Sequence, residues 1–151
     1  MAYAFAAYLH FIAIFVLFAL LTLEHQLFRL PLTLERARSL FRIDIAFGVT
    51  AAVVLATGIS RVVWFGKGLG YYLSNSAFHA KIALFLLVSL LSIYPTLTFL
   101  GWRNALKAGQ VPVVSPQTGH WVTWVIRLEL MLLLLIPLAA ALMARGFGVI
   151  T

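Results

Sequence analysis

Only 10% of this sequence is charged, so the ionisable residues that interrupt its apolar runs are the first places to look for chemistry. They fall into two sets. His10, Arg61, His79 and Lys81 lie toward one end of the apolar runs. Two imidazoles at similar depth on different helices can meet across a bundle and hold a flat cofactor by axial ligation. Imidazole suits iron, copper and zinc, so His10 and His79 are also the candidate metal ligands. Arg61 and Lys81 could pair with the carboxylates of a bound porphyrin. Gly48, Ala51, Ala52 and Gly58 lie close to one helix face and leave room for a ring, Gly58 being nearest the histidines. The plainer account of the same residues is close helix packing along a small-residue stripe, solvated histidines, and basic side chains that reach for headgroups.

The second set is Glu24, His25, Asp44, His120, Arg127 and Glu129. Glu24 follows His10 by fourteen residues, close to four helical turns, so both face one way. Arg127 and Glu129 are two apart and need different partners. Asp44 with Arg127 is the preferred ion pair, and Glu129 with His25 or Arg42 the second. Salt bridges that fix the register of a bundle are one account of this layer. A proton path that uses His25 is the other.

The elements that position these residues follow from hydropathy. Of the 151 residues, 64% are hydrophobic, too many for one aqueous core of this size. A spanning helix needs about 20 mostly apolar residues, and four runs qualify, at roughly 3–27, 43–64, 78–102 and 120–144. The expected fold is all-α, an integral membrane four-helix bundle forming a single domain over 1–151. The backbone must satisfy itself within lipid, and Pro95 and Pro137 are tolerated there with local bends. Trp64, Trp102, Trp121 and Trp124 fall near helix ends, as in an aromatic belt. The segment RLPLTLERARSLFR reads as a basic surface helix, GKGLGYYLSNS as an irregular loop and AGQVPVVSPQTG as a mobile one. The N-terminus lacks a basic leader and reads as a retained first span.

With no cysteine, disulfides and thiolate chemistry are excluded. The net charge of +7 points to anionic lipid as partner and not to nucleic acid, because the basic residues flank apolar runs. Arg29, Arg36, Arg38, Arg42, Arg103, Lys107 and Arg127 lie on one side of the four spans, and Arg61, Lys67, Lys81 and Arg145 on the other. The richer side is expected in the cytoplasm, with both termini external, in a bacterial inner membrane. Glycine-rich phosphate loops, HExxH, GxSxG and EF-hand patterns are not found.

The stretches YLHFIAIFVLFALLTLE, RIDIAFGVTAAVVLATGISRVVW, FHAKIALFLLVSLLSIYPTL and WRNALKAG resemble a bacterial family of predicted membrane proteins of unknown function, over nearly the whole chain. A more distant likeness is to the HemJ-type protoporphyrinogen oxidases, small membrane proteins that bind haem b and carry an LH element and a WLHxK element. His10 falls on the first-span histidine, and His79 and Lys81 on the histidine and lysine of the later element, while Phe78 stands in for its tryptophan. The layout is also similar to CopD-like copper-resistance domains. These likenesses imply a haem-b protein with a redox task, acting on a porphyrin or toward quinone. The alternatives are a copper-handling protein, which would lack the usual soft ligands beyond Met1, Met131 and Met143, and a non-catalytic scaffold or subunit, alone or as a homo-oligomer.

Overall fold

The computed structural model describes residues 1–64 and 68–148. Among these residues six helices follow one another: α1 (Ala2–Leu27), α2 (Leu34–Val63), α3 (Leu69–Leu73), α4 (Ser76–Gly101), α5 (Arg103–Lys107) and α6 (Pro116–Ala144). The four long ones are apolar and long enough to cross a membrane. They pack as a bundle, so the all-α four-span expectation holds. The chain therefore contacts the lipid bilayer directly. Lys67, counted above with the basic residues of one side, lies outside the described residues.

Each long helix turns toward the centre a seam of buried residues at helical spacing, mostly three, four or seven apart. On α1 the buried positions are Ala13, Leu17, Leu21 and Glu24. On α2 they are Ala37, Leu40, Asp44, Phe47 and Val54. On α4 they are Val88, Pro95 and Phe99. On α6 they run from Gly119 through Val122, Ile126, Glu129 and Leu133 to Ala139. The opposite faces of all four helices carry exposed large apolar residues, among them Phe15, Val49, Leu90 and Met131, which suits lipid and not water.

α1 packs chiefly on α2, and α4 chiefly on α6. Lesser contacts of α1 with α6 and of α2 with α4 close the ring, which leaves α1 and α4 on one diagonal. One end of the bundle is closed by aromatic packing. The Phe28 ring lies nearly parallel to that of Trp102, with centroids 6.4 Å apart, and Phe99 packs on both. Trp102 is therefore buried, which corrects its expected place in an interfacial belt. Trp64, Trp121 and Trp124 are exposed near helix ends.

Three local readings also change. α2 begins at Leu34, so the basic stretch is its first turns and not a separate surface helix. The Thr33 side chain accepts from the Arg36 amide and caps that start. The GKGLGYYLSNS segment holds the short helix α3, and Asn75 then caps α4 by accepting from the Phe78 amide. In the later connection, Ser115 accepts from the Thr118 amide, and Pro116 fills the first turn of α6.

Candidate functional site

His10 sits half-buried on α1, with its Nδ1 2.8 Å from Thr57 Oγ1 of α2. The Thr57 oxygen is also 2.7 Å from the Val53 carbonyl. A hydroxyl has one proton to give. With that proton donated to Val53, Oγ1 accepts from His10, whose Nδ1 must carry the hydrogen. A neutral imidazole protonated at Nδ1 keeps its lone pair on Nε2. An outer hydrogen bond of this kind fixes the ring and leaves a nitrogen able to bind a metal.

Gly58 lies beside this ring. A Cβ added there would be 3.3 Å from His10 Cε1. Gly58 thus makes room for the imidazole itself. Gly48, further along the same helix, faces open space.

Arg61 and Lys81 are half-buried and within electrostatic reach of His10. The Arg61 guanidinium lies 5.4 Å from the centre of the Phe11 ring, and the Lys81 ammonium 5.3 Å from that of Phe78. All four acidic residues of the chain, Glu24, Glu35, Asp44 and Glu129, belong to other levels of the sequence, so these two cations meet no carboxylate among the described residues.

His79 is arranged differently. It is exposed, and its Nε2–H donates to the Leu73 carbonyl at 2.8 Å, just before α4. His10 and His79 each have a separate partner, on helices that do not pack against one another.

The second polar layer is built around carboxylates. Glu24, Asp44 and Glu129 are buried in the seams of α1, α2 and α6. Asp44 Oδ1 accepts from the Thr96 hydroxyl of α4 at 2.7 Å. Arg127 is exposed and donates from Nε to His25 Nε2 at 3.1 Å. The Asp44–Arg127 pair expected from charge is therefore not formed: Asp44 is buried against Thr96, and Arg127 is exposed against His25. Glu129 does not pair with His25 or Arg42 either, since neither of its oxygens has a hydrogen-bond partner. His120 is exposed, against the edges of Trp121 and Trp124.

Thr57 and Thr96 are the two site residues that sequence reasoning missed. Both are hydroxyls in apolar helices. Their signal was slight: Thr57 adjoins Gly58, and Thr96 follows an intrahelical proline.

Two cavities are formed elsewhere. One, of about 430 Å³, is lined by Leu30, Pro31, Leu32, Val111, Pro112, Val114 and Pro116. The other is lined by Tyr94, Trp121 and Val125. Neither includes a residue of the His10 layer.

No curated protein and no solved structure matches the chain. One family description does match, from residue 2 to residue 148, nearly the full length. With its four apolar helices and this match, the chain belongs to the family described as "Predicted membrane protein (DUF2214)".

Proposed function

We propose that the His10 end of the bundle binds haem b for a redox task in the membrane. His10 Nε2 would ligate its iron, and Arg61 and Lys81 would pair with its carboxylates. The observation that carries this reading is the 2.8 Å contact of His10 Nδ1 with Thr57 Oγ1, which orients the ring and, with the Thr57 proton given to Val53, leaves Nε2 as the basic nitrogen. Two half-buried cations that meet no carboxylate among the described residues add a reason for an anionic ligand at this level. The likeness of the LH and FHAK elements to HemJ-type oxidases points the same way.

The residues would supply one imidazole ligand. They do not fit a preformed pair, because His79 Nε2 is already used on the Leu73 carbonyl. Haem, when bound, supplies one-electron chemistry. The chain's own part is to hold one imidazole in a fixed tautomer, to neutralise carboxylates, and to surround the site with apolar side chains. The same cations suit a porphyrinogen substrate, and electron transfer toward quinone is the other task within this reading. Copper handling has less support, since among the described residues no three His, Asp or Glu side chains are grouped to hold a metal ion.

By the basic-residue count, the proposed setting is a bacterial inner membrane with both termini external. The exposed Arg36, Arg38 and Arg42 at the start of α2 would then meet anionic lipid on the cytoplasmic face.

The test is a titration of the purified protein with ferric haem, followed by the shift of the Soret band. Saturable binding that is lost in His10→Ala and kept in His79→Ala is the expected result. Loss in His79→Ala with retention in His10→Ala would overturn the ligand assignment. No saturable binding in the wild-type protein would leave the scaffold reading.

A further inference from the structure

We infer that Glu24, Asp44 and Glu129 form a proton-holding site in the centre of the bundle, on the side of the His25–Arg127 contact. This does not rest on the haem reading, because none of its residues belongs to the His10 layer.

Three of the chain's four acidic side chains are buried in the bundle, each on a different helix. Glu24 lies within electrostatic range of both Asp44 and Glu129, and Glu129 within range of Asp44. Glu129 is 0% exposed and Glu24 1% exposed, yet both Glu129 oxygens and Glu24 Oε1 lack any hydrogen-bond partner. Such orphaned oxygens, at the centre of a membrane bundle, are a costly arrangement for a purely structural role.

Neighbouring cations do not solve the problem. Arg42 and Arg127 each stand two residues from an acid, and positions two apart on a helix do not share a face. Both are exposed, and Arg127 is engaged with His25. α1 contributes Glu24 and His25, α2 Asp44, and α6 Glu129, while α4 contributes only the uncharged Thr96 hydroxyl. A chelated metal ion is not indicated either, since no grouping of three suitable donors occurs among the described residues.

Protons remain as the neutralising charge. A carboxylate that takes up a proton loses its charge and becomes a hydroxyl donor as well as an acceptor. Uptake adds one proton per group from water and needs no other reactant. His25 stands next to Glu24 on α1; it is half-buried, and its Nε2 accepts from the exposed Arg127.

Infrared spectroscopy tests this directly, because the chain has so few acids. The full-length protein is measured at neutral pH in a detergent free of carbonyl groups, in normal and in heavy water. The expected spectrum has a carboxylic-acid carbonyl band. Part of that band is lost in Glu129→Gln and part in Glu24→Gln, and in heavy water the wild-type band shifts to lower frequency. Three results would overturn the inference: a wild-type spectrum with carboxylate bands alone, including one in which those bands respond to added sodium or calcium; an acid band that neither Gln variant alters; or an acid band that heavy water leaves in place. The exchange measurement uses only the wild-type chain, so it decides the matter even where a variant fails to fold.

Discussion

Replacing Thr57 by valine keeps the shape of the α2 surface and removes one oxygen, which makes it a sharp test of how His10 is held. In the wild-type chain Thr57 Oγ1 links His10 Nδ1 at 2.8 Å to the Val53 carbonyl at 2.7 Å. Valine leaves the Nδ1–H without that acceptor. The net worth of such a bond is about 1 kcal/mol, and a polar group left dry costs about 1–3 kcal/mol. His10 is only half-buried, so the lower end applies and the loss of stability should be near 1 kcal/mol. The larger effect is on ligation. Removing the partner that orients a metal-binding imidazole typically lowers affinity by about 10–100-fold. Haem titration of Thr57→Val beside Thr57→Ser, which keeps the hydroxyl, reads that loss. Nitrogen-labelled NMR of His10 in the wild-type protein reads the tautomer. A proton on Nε2 in the wild-type protein, or equal haem affinity in a folded Thr57→Val, would refute the reasoning.

The other expected outcomes follow from packing. Gly58→Ala places a methyl 3.3 Å from His10 Cε1, so the ring must shift by a few tenths of an ångström. Haem affinity should fall less than in Thr57→Val, and unfolding in detergent should show a cost of no more than about 1–3 kcal/mol. Phe99→Ala empties a fully buried position between Phe28 and Trp102. It should destabilise the bundle by about 3–5 kcal/mol in the same unfolding assay, while leaving the distant His10 layer able to bind.

The helical seams could be read in the sequence because lipid imposes one rule on every backbone and a heptad-like rule on every packed face. Glu24 and His10 do share a face of α1, as their fourteen-residue separation requires, although Glu24 is buried and His10 only half so. The start of α2 was hidden because Glu35, Arg36 and Arg38 make its first turns look like loop. Ala37 and Leu40 on the same turns are fully buried, and they carry the helix onward into the bundle.

The polar layers were less legible. Charge alone suggested Asp44 with Arg127, yet a helix cannot point Arg127 and Glu129 the same way. Glu129 takes the core, Arg127 takes the rim, and Asp44 is left to a threonine hydroxyl. That Thr57 serves His10 depends on how two helices rotate against one another, which spacing along either helix does not reveal. Trp102 shows the same limit. Its position in the sequence fits an interface, while its ring is drawn inward by Phe28 and Phe99.

The central claim, an imidazole at position 10 that binds haem, is tested most directly by the absorption spectrum of the protein purified from cells well supplied with haem. The account predicts a Soret band that is present in the wild-type protein and gone from a folded His10→Ala. A colourless wild-type protein, or a band that persists unchanged in His10→Ala, would contradict it.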